Sequence, residues 1–246
     1  MNSLILCEGK TDCILLQYFL ERVYQWEYKR RGNIRITRDC WSNCFIKGAH
    51  TLTIAETKGC SRLVEGLIYA IDRNESTPPG STDVFFDKIV IFTDNDEACT
   101  SKNMIDDILS EISKTSVKFQ NQLKCGVWNK GTLNGVDGIK KFELLILFIP
   151  FNENGALETY LLDCIGKNDA YDKKIIDRGN AFIDVIDPSQ KYLKHRRLKT
   201  KAKFDVYFSV RTSADQYSER QNILRSVAWE NYTAIREDFK LFADLG

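Results

Sequence analysis

Histidine is scarce: His50 and His195 are the only two. A two-histidine zinc site or a triad built on imidazole therefore has almost nothing to draw on. Proline is nearly as rare, with four in 246 residues, which leaves little room for stiff linkers between separate domains. The longest apolar run, Leu144 to Ile149, falls far short of the roughly 20 residues a helix needs to cross a bilayer. The sequence has no Gly-x4-Gly-Lys-Ser/Thr phosphate loop, so nucleotide hydrolysis by this chain alone is not expected. Neither sign of charge is in excess: 35 Lys and Arg stand against 34 Asp and Glu. That balance excludes a uniformly basic coat but leaves local patches open.

With 43% hydrophobic and 28% charged residues, the chain has the composition of an ordinary globular protein with a sizeable core. Its first residues, Leu4-Ile5-Leu6-Cys7, are strand-like and lack the basic and apolar regions of a signal peptide. The expectation is a cytoplasmic protein without membrane insertion. Eight cysteines then read as reduced thiols. Cys40 and Cys44 form the only close pair, and a structural zinc there is the alternative.

Short apolar runs alternate with helical patterns, which points to stacked βαβ units. Strands are expected at 3–7, 51–55, 88–93 and 142–149. Helices are expected at 11–23, capped by Thr11 or Asp12, and at 62–73, 101–113 and 156–165. Residues 74–83 read as a loop and 117–138 as strand pieces and turns. Beyond Gly166 the pattern is helical and polar, ending in an amphipathic segment around 223–241, where Trp229 and Tyr232 read as core. The domain reading is an α/β core over 1–165 and a basic, mainly helical extension over 166–246 packed on it.

Two acidic features follow predicted strands: Glu8-Gly9-Lys10-Thr11-Asp12 after the first and Asp94-Asn95-Asp96 after the third. In an open parallel sheet, groups at the carboxyl ends of strands converge on one crevice. Clustered carboxylates repel one another, and a hard divalent cation is the natural compensation. The same residues also read as acids placed at a helix start and as a polar turn.

Glu8-Gly9 with Asp12 after the first strand, and Asp94-x-Asp96 after a later apolar strand, resembles the Toprim domain of topoisomerases, bacterial primases, recombination mediators, a ribosomal-RNA maturase and the nucleases of the overcoming-lysogenization-defect group. The glycine usual after the second acid of that pair is replaced here by Ala98-Cys99. The resemblance implies a Toprim-like Rossmannoid α/β fold, a parallel sheet flanked by helices. It also implies a metal-dependent nuclease acting on DNA or RNA. By match, Glu8 would act as general acid or base and touch metal, and Asp94 and Asp96 would bind Mg²⁺ or Mn²⁺ with Asp12 beside them. Glu158, which resembles a further acid of the overcoming-lysogenization-defect nucleases, would complete a second ion position about 3.5–4 Å away.

The second signal is basic. Lys29 to Arg38 holds five Lys and Arg without an acid, and Lys191, Lys194, Arg196, Arg197, Lys199, Lys201 and Lys203 crowd into 13 positions. Such density is either a footprint for a phosphate backbone or a solvated helix face. Lys10, Lys58, Lys194, Arg196, Arg197 and Lys199 are the candidate nucleic-acid contacts. The resemblance implies a catalytic lysine as well, for which Lys201 and Lys203 are candidates.

Topoisomerases and primases need more chain than this. The layout is similar to small standalone Toprim proteins and to the Toprim effectors that work with an ABC-type ATPase in phage defence. Such an ATPase, nucleic acid and a second copy of the chain are the expected partners. A non-catalytic Toprim binding module and a ribosomal-RNA maturation nuclease are the alternatives.

Overall fold

The computed structural model describes residues 1–31, 40–78, 85–95, 100–151, 153–213 and 220–246. The chain runs β1 (Asn2–Cys7), α1 (Lys10–Tyr24), β2 (Glu27–Arg31), β3 (Ser42–Lys47), β4 (His50–Glu56), α2 (Leu63–Ser76), β5 (Lys88–Asp94) and α3 (Thr100–Ile112). It continues through β6 (Lys118–Phe119), β7 (Trp128–Gly135), β8 (Gly138–Ile149), α4 (Leu157–Asn168), α5 (Ala170–Ile186), α6 (Arg196–Arg211), α7 (Arg220–Ser226) and α8 (Thr233–Asp238). All eight strands form one sheet in the order β2-β3-β4-β1-β5-β8-β7-β6.

The four central strands explain the apolar runs. Leu4 and Leu6, Ile89 and Ile91, and Leu144 and Ile146 enter one buried cluster with α2 and α3. The alternate residues, Ile5 and Cys7, Val90 and Phe92, and Leu145 and Leu147, enter a second cluster on the opposite face, with α1 and α4. Successive side chains point to opposite faces of a strand, so a strand covered on both faces must be apolar at every position.

The sheet departs from the all-parallel expectation at both edges. β4, β1, β5 and β8 are parallel, whereas β2 and β3 on one side and β7 and β6 on the other are antiparallel. β2 overlaps the start of the basic stretch Lys29 to Arg38; all five of its residues are exposed, so it has no hydrophobic alternation to display. Its charges suit an edge strand, where they discourage pairing with another chain. In the region expected to be irregular, β7 and β8 form a long hairpin whose last pair is Gly135 with Gly138. The two-residue turn between them extends β8 four residues ahead of Phe142.

Connections set the position of the crevice. β1 passes through α1 and the β2–β3 hairpin to β4 on one side, and β4 returns through α2 to β5 on the other side of β1. The strand order reverses there, so the carboxyl ends of β1 and β5 border an open crevice, the place where ligands bind in such sheets.

Residues after 166 are mainly helical and share the core of the sheet. Phe204, Tyr207, Phe208, Trp229, Ile235, Phe239, Phe242 and Leu245 are buried in the same cluster as Phe19 and Phe92. Phe239 packs edge-on against Phe19 and Phe92, with ring centroids 5.1 and 5.9 Å away. The amphipathic segment at 223–241 is not one helix: α7 ends at Ser226, a 3-10 turn spans Trp229–Asn231, and α8 follows. Trp229 Nε1 donates to the Leu224 carbonyl at 2.7 Å, taking the acceptor that a continuing helix would offer to Ala228. None of the seven cysteines among the described residues, Cys40 and Cys44 included, is in a disulfide; Cys99 lies outside those residues.

Candidate active site

Glu8 and Asp12 stand at the passage from β1 into α1. Gly9 is the N-cap of α1, so the cap expected at Thr11 or Asp12 is shifted. Asp12 instead occupies the third helical position and reaches back, its Oδ2 accepting the Gly9 N–H at 2.8 Å. Glu8 is tied to the next strand: Thr93 Oγ1 donates to Glu8 Oε2 at 3.1 Å. The turn after β4 presses on the same loop. There Gly59 N–H donates to the Glu8 carbonyl at 2.9 Å, from a φ of 129° that side chains other than glycine's rarely permit.

Asp94 closes β5, and its Oδ1 accepts the Leu157 N–H at 2.9 Å, capping α4 from a strand 63 positions away. Asn95 fastens the loop between β8 and α4. It donates its N–H to the Ile149 carbonyl at 2.7 Å, accepts the Gly155 N–H at 2.8 Å, and gives Nδ2 to the Pro150 and Glu153 carbonyls. Gly155 fits this crowding, since a Cβ there would meet Thr159 Cβ at 3.0 Å and Pro150 Cδ at 3.1 Å. Glu158, the second residue of α4, is thereby delivered to the same place.

Glu8, Asp12, Asp94 and Glu158 line a single cleft of about 50 Å³. Asp12 and Glu158 are each only 7% exposed. From α6, Arg197, Thr200 and Lys201 complete its wall, with Thr11 beside them. Burial pushes the Asp12 carboxyl above its ordinary range. The charges of Glu8 and Glu158 push the same way, against the Gly9 N–H and Arg197. Asp94 is raised further: burial acts first, then the charges of Asp12, Glu8 and Glu158, opposed by the Leu157 N–H.

Such a set of buried, mutually repelling oxygen donors fits a hard cation such as Mg²⁺ or Mn²⁺. Among the described residues no three His, Cys, Asp or Glu side chains are drawn into a ready-made ligand shell. Asp96, expected as a ligand, lies outside those residues.

The basic run does not act as one patch. Arg197 and Lys201 border the carboxylate cleft, whereas Lys194, Arg196, Lys199 and Lys203 line a separate, larger pocket between α4, α5 and α6. Lys203, one of two candidate catalytic lysines, is turned away from the carboxylates and pairs with Asp184 at 2.8 Å; the geometry favours Lys201. Lys10 and Lys58 are exposed and lie outside the residues that line the cleft. Sequence reasoning missed Thr93 and Thr200. Thr93 carried a signal of its own, as the hydroxyl residue directly before Asp94 at the strand end.

The family described as a protein of unknown function, DUF3226, matches residues 2–242. The chain belongs to that family. No curated protein matches it. The crystal structure of a hypothetical protein from Pyrococcus horikoshii OT3 is similar in fold, with a TM-score of 0.55 at 15% identity over 99% of this chain and 98% of that one. For this DUF3226 chain, the α/β architecture thus has a counterpart in a solved structure. No helix among the described residues is long and apolar enough to cross a membrane.

Proposed function

We propose that this chain is a Toprim-like, divalent-cation-dependent nuclease that cleaves phosphodiester bonds in DNA or RNA. One observation carries the reading: four carboxylates from three distant stretches of sequence line one cleft at the switch point of the sheet, and Arg197 and Lys201 border the same cleft.

Glu8, Asp12, Asp94 and Glu158 would hold Mg²⁺ or Mn²⁺, with Asp96 the next acid along the chain. When bound, one or two such ions supply polarisation of the phosphoryl oxygens and activation of a water nucleophile. The protein's own groups do the rest. Thr93 fixes Glu8 through Oε2 and leaves Oε1 to take or return a proton at the scissile phosphate. Arg197 and Lys201 attract the phosphodiester into an otherwise acidic cleft and stabilise the charge that develops on its oxygens. Asp12 and Asp94, held by the N–H groups of Gly9 and Leu157, are oriented before any ligand arrives. In a defence pairing with an ABC-type ATPase, ATP hydrolysis would belong to the partner, since this chain has no phosphate loop.

The test is cleavage of single- and double-stranded DNA and of structured RNA with Mg²⁺, Mn²⁺ or chelator, by the wild type and by Asp94→Ala. Metal-dependent cleavage that falls at least ~100-fold in the variant is expected, the scale of removing a group that stabilises developing charge. Undiminished cleavage by Asp94→Ala overturns the reading. Binding without cleavage on every substrate also overturns it, in favour of a non-catalytic module. Preference for structured RNA would identify the RNA-maturation form of the same chemistry.

A further inference from the structure

The edge strand β2 carries three cations in succession, Lys29, Arg30 and Arg31, and each is exposed. Among the described residues none of the three enters an ion pair. Charge of either sign keeps an edge from pairing with another chain, so that need alone does not select a run of one sign. Its place in the sheet supplies a second reason. β2 is antiparallel to β3, and β3 to β4, so β2 points the same way as the parallel strands. Its last residue, Arg31, is level with Asn43, Ile54 and Ile5 across the sheet, two residues short of Cys7 and toward the end of the sheet that holds the cleft.

A bulge aims the run. The register of β2 on β3 shifts between Tyr28 and Arg30, which leaves Lys29 unpaired on the ladder and sets Arg30 and Arg31 opposite Cys44 and Asn43. Edge bulges recur beside active sites, where they redirect side chains. Neighbouring positions of β3 face opposite sides of the sheet. Arg31 therefore shares a face with Tyr28, whose partner Phe45 belongs to the buried cluster of α1 and α4. Those two helices start at the cleft. Tyr28 is 54% exposed and offers a ring on which a base can stack.

Lys58 stands between this edge and the cleft. It follows β4, which lies between β1 and β3, and its backbone is fastened on both sides to the stretch that carries Glu8. Thr57 N–H donates to the Cys7 carbonyl and Gly59 N–H to the Glu8 carbonyl, each at 2.9 Å. Lys58 has a φ of 62°, a left-handed conformation that glycine and asparagine enter more readily. A lysine thus occupies a backbone position that favours glycine, with its side chain exposed.

From this placement we infer that bound nucleic acid leaves the cleft in one direction, over Lys58 and onto the β2 edge. Lys29, Arg30 and Arg31 hold its phosphate backbone there without reading sequence. Three strand spacings, about 14 Å, and three residues along the strand, about 10 Å, separate Arg31 from Glu8, or about 17 Å in a straight line. That is the rise of about five nucleotides in one strand of a duplex. The track sets the reach of substrate needed on one side of the scissile bond. The inference rests on the nuclease reading for the role of the cleft, whereas binding along the track needs no chemistry.

Binding of fluorescent DNA and RNA of increasing length, measured in chelator, tests the track, and cleavage with Mn²⁺ is scored separately. Lys29→Gln/Arg30→Gln/Arg31→Gln should weaken binding of a 20-nucleotide single strand at least ~10-fold. Its slope of log affinity against log salt should be shallower by about 2.1, the value for three single-strand phosphate contacts. Lys29→Arg/Arg30→Lys/Arg31→Lys should bind like the wild type, which separates charge from folding. Lys58→Gly should melt no lower than the wild type, since glycine suits the left-handed backbone, and yet bind more weakly. Wild-type affinity should rise with length until a strand spans the track, and that of the glutamine variant should level off several nucleotides earlier. Binding unaffected by the triple glutamine change, or the same levelling length in both proteins, overturns the inference even if the wild type cleaves. An acidic peptide of equal charge bound as tightly as the oligonucleotide also overturns it, since the edge would then be a protein-docking surface. Charge-dependent binding without any cleavage counts against the nuclease reading alone.

Discussion

Asp94 Oδ1 accepts the backbone N–H of Leu157 at 2.9 Å, so a single carboxylate both closes strand β5 and starts helix α4. This is why Glu158, a residue with no sequence proximity to Glu8 or Asp94, belongs to the same cleft. The bond needs an acceptor and not a charge, which separates the folding role of Asp94 from the chemical role proposed for it.

Asp94→Asn keeps an oxygen for Leu157 while removing a carboxyl whose ionisation is opposed by burial and by its acidic neighbours. Cleavage should fall at least ~100-fold. Melting temperature in chelator should rise, by roughly 2–4 °C for each kcal/mol of relieved repulsion in a chain of this size. Thermal melts alongside cleavage assays check both. A variant that melts lower than the wild type contradicts the assignment of Asp94 as a strained ligand.

The pH dependence of stability follows from the same carboxyls. Asp94 and Asp12 titrate above the ordinary carboxylate range in the folded chain. As pH climbs past about 4 the unfolded chain gives up those protons while the folded one retains them. The folded state then binds more protons, and stability declines with rising pH. In chelator the melting temperature should drop between pH 5 and pH 8. Mg²⁺ or Mn²⁺ should restore more of it at pH 8 than at pH 5, since the cation binds the ionised form. A metal effect that is larger at pH 5 contradicts this linkage.

Arg197 and Lys203 line different cavities on either side of α6. Arg197 borders the carboxylates and its charge acts on Asp12, whereas Lys203 is engaged by Asp184. Turnover of a bound substrate should fall about 10- to 100-fold in Arg197→Ala. In Lys203→Ala the chemical step should be largely unchanged, since Lys203 lies outside the carboxylate cleft. Single-turnover kinetics at saturating substrate check the split, and equal losses of the chemical step in both variants contradict it.

Phe239 is the hub of an aromatic cluster that includes Phe19, Phe92, Phe151, Tyr160 and Phe242. Phe239→Ala should cost about 3–5 kcal/mol, read by denaturant unfolding. A loss under about 1 kcal/mol shows that the segment is peripheral.

The central strands and their helices were legible because double-sided burial leaves continuous apolar runs, and Glu8, Asp12 and Asp94 because they stand at or just past the ends of those runs; Glu158, inside α4 beyond the end of β8, was reached only through the family resemblance. β2 was not legible because a fully exposed strand of Glu, Tyr, Lys and Arg carries no alternation. The β7–β8 hairpin did leave a signal, the glycines at 135 and 138 around a two-residue turn. For the basic run, composition gave its existence; only the helical phase of α6 divides it, since residues 196 and 197 differ by about 100° around the axis.

Ser3 Oγ donates to the Leu245 carbonyl across 242 positions, and Phe92 of a central strand packs against Phe239 and Phe242. Closing so large a loop costs entropy before any contact repays it, and chains with such distant pairings fold slowly, over milliseconds to seconds. The cleft shares its helices with the face that this segment seals. A half-folded chain would carry the acids of the site without the geometry that gathers them into one cleft.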